Sequence, residues 1–375
     1  MLPQDVLDII AIFSGQPNVI HTLKHQLTPQ VYNAFYRKNV SLVYGQVQSG
    51  KTAMIFNLIR KSALPCVIII QNSLLVLKQY MERLSLNGIS FQTVNDSYLH
   101  EKVVIIMHNS TQYKKFMTFK LPSKFSLFMD ESDLTRDNPL IHMATNQFHI
   151  TATPFKYLPI FDQIIRIDTP TDYYGIERVL FLPKTYKEGT DYDPIISDFT
   201  SNSGGILLIN EFSLISHMND AAITLSNKYD LHIIVLSSIK KHYFKGRYST
   251  IRLNTIQSII DSVPHKHIII IANRMANRGL SFTSSNFKRH ITHQVFGNFS
   301  NITCFLQKSR IFGIYKDYPT LKVFLPPDKI PNAISYIDKI HFTDYFIKEQ
   351  KEILYYYRYF VLLFYHVIPL LKQNY

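Results

Sequence analysis

Ser41-Leu42-Val43-Tyr44-Gly45-Gln46-Val47-Gln48-Ser49-Gly50-Lys51-Thr52-Ala53-Met54-Ile55-Phe56 is the stretch that decides the fold. An apolar run, a loop bounded by two glycines and an amphipathic stretch follow one another as strand, loop and helix, the context that a phosphate-binding P-loop requires. Gly45 and Gly50 let the backbone bend so that successive N–H groups face inward at a helix N-terminus, where the dipole favours negative charge. Lys51 reaches the β and γ phosphates as a point charge, and the Thr52 hydroxyl is placed to ligate Mg²⁺. The expected cradle is Gly45, Gln46, Gln48, Ser49, Gly50, Lys51 and Thr52, with ATP as its occupant. A lone Gly-x-Gly would mean only a turn. Two glycines at this spacing, with Lys-Thr following and a strand before, mean more.

Downstream, β-branched runs without polar alternation recur at Cys66–Ile70, Val103–Met107, Phe125–Met129 and Gln147–Ile150, separated by helix-forming stretches. Strands lacking a polar face are covered on both sides, and their alternation with helices predicts a mostly parallel α/β sheet. The third run ends in Asp130-Glu131-Ser132-Asp133. A carboxylate at the C-terminal end of a parallel strand faces the ligand crevice, so Asp130 can hold Mg²⁺ opposite Thr52, and Glu131 can orient or deprotonate the attacking water. The fourth run ends in Thr151-Ala152-Thr153-Pro154, where two small hydroxyl side chains can bridge the acidic motif to a neighbouring domain.

The alternation restarts at Ile206–Ile209, His232–Leu236 and His267–Ile271 without a second P-loop. The expected organisation is a helical lead-in at 1–38, an ATP-binding lobe at 39–167, a polar connection at 168–205, a second lobe at 206–327 and a helical C-terminal extension at 328–375. In the second lobe the basic, glycine-containing turn Asn273 to Gly279 would face the crevice, where Arg278 or Asn273 could meet the nucleotide or a backbone phosphate. Thr303–Leu306, read as strand-like, leads to Gln307-Lys308-Ser309-Arg310. Arg310 can neutralise charge developing on the γ-phosphoryl, a role its planar fork suits, and Gln307 would reach the same nucleotide.

The 375 residues suffice for two cores, and 40 Lys and Arg against 27 Asp and Glu leave a formal charge of +13, which suits a polyanionic partner. Solubility alone would also account for that surplus, since no dense basic run stands out. Cys66 and Cys304 stand far apart, which excludes a disulfide framework and points to a reducing compartment. The N-terminus lacks the features of a signal peptide, and the apolar run 353–368 is interrupted by Arg358 and His366. The expectation there is a helix packed on the body or on a protein partner, without stable membrane association.

Taken together, Val47 to Thr52, Met129 to Asp133, Ile150 to Phe155, Asn277 to Ser281 and Gln307 to Tyr315 resemble the motifs of superfamily-two helicases, and among them the ATPases that carry the Z-one, endonuclease-like domain. The echoes span about Tyr44 to Leu325 in that family's order. The usual Gln-Arg-x-Gly-Arg motif is reduced to Gln307, Lys308 and Arg310. The resemblance implies two tandem RecA-like lobes with ATP between them and a nucleic-acid strand, DNA before RNA, crossing both. It implies a helicase or translocase with Glu131, Lys51 and Arg310 as catalytic residues. A nuclease-licensing ATPase and a non-hydrolysing nucleotide-binding scaffold are the alternatives.

Overall fold

A computed structural model of the chain describes residues 40–96, 101–119, 124–135, 137–153, 163–184, 191–237, 239–253, 255–273, 279–286, 288–315, 320–341 and 343. The expected helical lead-in, most of the C-terminal extension, Pro154 and Arg278 lie outside them.

The first lobe is built from β1 (Val40–Tyr44), α1 (Lys51–Lys61), β2 (Cys66–Ile70), α2 (Leu74–Leu86), β3 (Gln92–Thr93), β4 (Val103–Met107), α3 (Ser110–Met117), β5 (Ser126–Asp130), α4 (Ser132–Thr135), β6 (Asn146–Thr151) and β7 (Gln163–Arg166). Its seven strands stand in the order β3-β4-β2-β5-β6-β1-β7, and every pairing is parallel. β1, β2, β4 and β5 are buried at each position, which is why their sequences read as unbroken apolar runs. Because all strands run the same way, the loops after β1, β2, β4, β5 and β6 leave one edge of the sheet together. The P-loop, the acidic motif and Thr151-Ala152-Thr153 therefore share one crevice.

The second lobe holds β9 (Val179–Pro183), α5 (Asp193–Ser201), β10 (Gly205–Asn210), α6 (Ile215–Lys228), β11 (His232–Leu236), β12 (Lys241–Phe244), β13 (Arg247–Thr250), α7 (Ile256–Asp261), β14 (His267–Ala272), β15 (Ile291–Phe296), α8 (Ile302–Lys308) and β17 (Leu321–Leu325). The strand order is β13-β12-β11-β14-β10-β15-β17-β9, parallel except for the antiparallel hairpin β12–β13 added at one edge. A separate two-stranded piece pairs β8 (Tyr173–Tyr174) antiparallel with β16 (Gly313–Ile314). A helix at 330–341 follows and buries Ala333, Tyr336 and Ile340. The architecture is two tandem RecA-like parallel-sheet lobes with a helical extension.

Three features differ from the sequence expectation. Val179–Pro183, inside the stretch read as a connection, pairs with β17 as a strand of the second sheet, so that sheet begins before residue 206. Cys304 sits on a helix and not in a strand: Asn301 caps α8 by accepting from the Cys304 N–H at 2.8 Å, and Phe305 and Leu306 turn inward at helical spacing. β15 escaped notice because His293 and Gln294 interrupt its apolar pattern, although the strand is buried throughout. Its polar side chains have partners: His293 Nε2 meets Asp198 Oδ2 at 3.1 Å and its Nδ1 meets Thr292 Oγ1 at 2.9 Å.

Candidate nucleotide site at the seam between the lobes

The loop after β1 curls into a cradle. Gln48 and Gly50 take φ of 60° and 96°, and between them the Ser49 N–H donates to the Gln46 carbonyl at 3.2 Å, which closes the loop into a tight turn ahead of α1. A Cβ on Gly45 would stand 2.6 Å from Ser49 Oγ, so only glycine fits that first turn. Ser49 Oγ is buried without a hydrogen-bond partner among the described residues, an orphaned donor in the loop, and this suits a polyphosphate. Lys51 Nζ donates to the carbonyls of Gln46 at 2.8 Å and Gly45 at 3.2 Å. Burial lowers the Lys51 pKa, while the nearby charges of Glu131 and Asp130 oppose that shift.

The acidic motif lies beside it. Asp130 is 8% exposed, and burial, then the adjoining Glu131 charge, push its carboxyl up to about 6. Tyr80, from the buried face of α2, donates to Asp130 Oδ2 at 2.6 Å. Burial, then the Asp130 charge, drives the Tyr80 phenol well above its ordinary range, leaving it a donor at any working pH. The neighbouring Thr52 pulls the phenol's pKa down, against the larger effects that raise it. Glu131 takes φ of 51°, a left-handed conformation uncommon for a residue with a Cβ. Such strain persists only where surrounding contacts fix it. Here the Leu134 and Thr135 N–H groups donate to the Glu131 carbonyl at 2.8 and 3.2 Å and hold the backbone from its own lobe, while the other lobe reaches the carboxylate: Gln307 Nε2 donates to Glu131 Oε2 at 3.0 Å and to Thr153 Oγ1 at 3.4 Å. Thr153 is tied back to Thr151 Oγ1 through its own N–H at 3.0 Å. Thr153 thus meets the second lobe through Gln307, and it is Gln307 that reaches the acidic motif.

Arg310 arrives from the second lobe, 4% exposed. Gln48 Nε2 donates to its carbonyl at 2.9 Å, which fastens the segment after α8 to the P-loop itself. Its guanidinium lies close enough for its charge to lower the Lys51 pKa. Three residues that sequence reasoning missed brace the site. Gln294, fully buried on β15, donates to the Lys308 carbonyl at 2.8 Å and accepts from the Ile311 N–H at 3.0 Å, bracketing Arg310. Tyr173 donates to the Val47 carbonyl at 2.7 Å while its strand β8 pairs with β16, so the connection between the lobes also braces the P-loop. Tyr80 is the third. A buried Gln in an apolar strand carried the one usable signal; tyrosines on helices and connections carried none.

Lys51, Thr52, Asp130, Glu131, Gln307 and Arg310 thus gather at one seam with Gly45, Gln46, Gln48, Ser49 and Gly50. The neighbouring Gly279, at φ 67°, comes so near α2 that a Cβ there would stand 3.1 Å from Val76. Arg83 on α2 donates to Ser281 Oγ at 3.0 Å. A second cleft of about 810 Å³ opens between the lobes, lined by Gln71, Asn72, Lys78 and His108 from the first and by Ser237 and Lys240 from the second.

Solved structures share this arrangement. The Escherichia coli DEAH/RHA helicase HrpB superposes with a TM-score of 0.55 at 11% identity, over 81% of this chain and 42% of that one. The fold is helicase-like. Saccharomyces cerevisiae Dbp5, solved bound to RNA and ADP BeF3, matches with a TM-score of 0.54 at 13% identity, over 87% of this chain and 91% of that one. The chain therefore spans less than half the length of HrpB and nearly all of the matched Dbp5 chain. No protein-family model and no curated protein matches the sequence. The likeness is one of fold, and nothing in it supports the Z-one subgroup. Among the described residues, no helix is long and apolar enough to cross a membrane.

Proposed function

We propose that the chain is an ATP- and Mg²⁺-dependent nucleic-acid translocase or helicase. The observation that carries this reading is the hydrogen bond from Gln307 to Glu131 across the seam, beside Arg310 fastened to the P-loop. It makes the state of one site depend on how the two lobes sit, which is what coupling hydrolysis to movement requires.

The amides of Gln46 to Gly50 would cradle the phosphates, with Lys51 turning from the Gln46 carbonyl toward them. Thr52 and Asp130 would hold Mg²⁺, which when bound supplies neutralising charge to the β and γ phosphates. Glu131 would orient the attacking water and accept its proton, and Gln307 would hold that carboxylate in place. Arg310 would meet the charge that grows on the γ-phosphoryl oxygens as the bond to the leaving diphosphate breaks. Arg278 is assigned to phosphate contact on sequence grounds alone. The cleft bounded by Lys78 and Lys240, one basic residue from each lobe, supports a polyanion lying across both. That Dbp5 was solved with RNA and ADP BeF3 adds support for the pairing of nucleotide with nucleic acid.

The test is ATP hydrolysis with and without single- and double-stranded DNA and RNA. Turnover should rise with at least one polymer and vanish in Lys51→Ala. Hydrolysis unaffected by any polymer would remove the motor reading and favour a scaffold or an ATPase serving another enzyme.

A further inference from the structure

Between Ile239 and Leu253 the chain carries Lys240, Lys241, Lys245, Arg247 and Arg252 and no acidic residue. In sequence these charges are too spaced to form a run. Folding gathers them: β12 and β13 make a hairpin on the outer edge of the second sheet, with Lys241 opposite Thr250 and Phe244 opposite Arg247. β13 is exposed at all four positions. The hairpin starts where β11 delivers Ser237 to the interlobe cleft, and Lys240, which lines that cleft, feels the charge of Lys78 from the other lobe.

The hairpin is also held rigid. Tyr243 is buried and donates to Asn219 Oδ1 on α6 at 2.7 Å. His232 stacks on Phe244 at 4.2 Å and on His242 at 5.0 Å between ring centroids. The turn places Lys245 and Gly246 at φ 48° and 69°, the geometry that matches strand twist in two-residue hairpins. Glycine is built for that region and lysine is not, so the sequence keeps a cation at the tip despite backbone strain. On the outer strand Tyr248 is 60% exposed, with Lys241 Nζ 4.7 Å above its ring. Of the basic side chains, Lys245 has an exposed acid within reach, Asp230 at 3.6 Å, a contact of little strength.

We infer that this hairpin is a backbone-binding rail for single-stranded nucleic acid leaving the interlobe cleft. Lys241, Lys245, Arg247 and Arg252 contact phosphates, and Tyr248 offers an aromatic face on which a base stacks. The inference rests on the nucleic-acid reading above and adds a binding element to it. Lysines on an edge strand also guard against pairing with another sheet, and the experiment separates the two roles.

The probes are fluorescein-labelled oligo(dT) and oligo(U) in a length series from about 6 to about 24 nucleotides, titrated by anisotropy at several salt concentrations against the full chain and two variants. In the wild type, affinity should rise with length as the strand reaches the hairpin. In the Lys241→Gln/Lys245→Gln/Arg247→Gln variant that gain should disappear. Binding of the longest probe should weaken roughly 10- to 100-fold near 0.1 M salt, and the salt slope should fall by about 2, as three lost contacts at about 0.7 each require. Tyr248→Ala should weaken binding at least several-fold without changing the slope. Hydrolysis of ATP without polymer should stay at the wild-type rate in both. If the wild type binds but the triple variant matches its affinity and slope, the rail is refuted while the motor reading stands. A triple variant that binds normally and self-associates would show that the charges only guard the edge. A wild type that binds no probe at any length overturns both readings.

Discussion

Gln294→Leu tests whether Arg310 is held in place from behind. The side chain is fully buried, and leucine nearly matches its volume, so the change opens no cavity and isolates the polar loss. Three hydrogen bonds go: to the Lys308 carbonyl at 2.8 Å, to Asn210 Oδ1 at 3.3 Å and from the Ile311 N–H at 3.0 Å. The Lys308 carbonyl keeps the Arg310 N–H at 2.9 Å, whereas the Ile311 N–H and Asn210 Oδ1 lose these bonds. Two orphaned buried groups at about 1–3 kcal/mol each predict a loss of about 2–6 kcal/mol if the turn stays closed. If the turn loosens to reach water, less stability is lost and Arg310 moves. A displacement of about 1 Å at a catalytic group costs roughly 10²-fold in rate. Urea unfolding and single-turnover ATP hydrolysis read the two arms, and the expected result is a lower midpoint together with a kcat reduced about a hundredfold at little-changed nucleotide affinity. Stability within about 0.5 kcal/mol of wild type with normal turnover would refute the bracket. Reduced stability with normal turnover would leave Gln294 a core residue and deny it any part in positioning Arg310.

Glu131→Gln should retain nucleotide binding and lose at least about 10²-fold in hydrolysis; an unchanged rate would remove Glu131 from the chemistry. Tyr80→Phe deletes the donor that favours the charged form of Asp130, whose pKa already stands at about 6. The acid limb of the kcat profile should move to higher pH, and more Mg²⁺ should be needed for half-maximal rate; an unmoved limb would show that the phenol is packing alone. His293 is held neutral in the fold, with burial first among the causes pushing its pKa down to about 4. The unfolded chain takes up its proton near pH 6.5 and the folded one does not, so its contribution to stability is complete above about 6.5 and falls by up to about 3 kcal/mol toward pH 4. Asp130, with a raised pKa, works the other way between its unfolded value and about 6, so the measurement is the difference in pH slope between wild type and His293→Gln. Equal slopes would show that His293 does not govern acid sensitivity.

The parts of the site legible in the sequence are those whose chemistry is local. The P-loop needs only a strand, two glycines and Lys-Thr in succession, and the acidic pair needs only to end a buried strand. Both α/β lobes announced themselves through strands buried on two faces, which leave no polar residue to confuse the pattern. What stayed hidden is tertiary. β15 carries His293 and Gln294 because each has a partner far off in the chain, Asp198 for the first and the Lys308–Ile311 turn for the second. No local rule prefers a polar pair at the centre of a sheet. Tyr80 and Tyr173 read as ordinary core aromatics, since nothing nearby in sequence marks the carboxylate or the carbonyl that their hydroxyls meet. The short run Thr303–Leu306 reads as strand-like because four residues are too few to show a helical period; Asn301 caps it as a helix.

The distribution of these hidden contacts bears on mechanism. In the first lobe, the P-loop and the acidic pair, both legible from sequence, are the residues proposed as ligands for phosphate, metal or water. The illegible ones, together with Gln307, transmit position: Tyr173 joins the connection to the P-loop, Gln294 carries the second sheet's rigidity to the Arg310 turn, and Gln307 closes the circuit at Glu131. Glu131 sits in a strained backbone conformation, and the contact that steadies its carboxylate comes from the opposite lobe. Separating the lobes therefore removes the Gln307 bond and the Arg310 charge in one movement, leaving the cradle intact but without its water-orienting geometry. On the proposed function, a site divided in this way would bind nucleotide in either arrangement and turn over in one, so the free energy of closing the lobes is the quantity that a polymer spanning Lys78 and Lys240 would control.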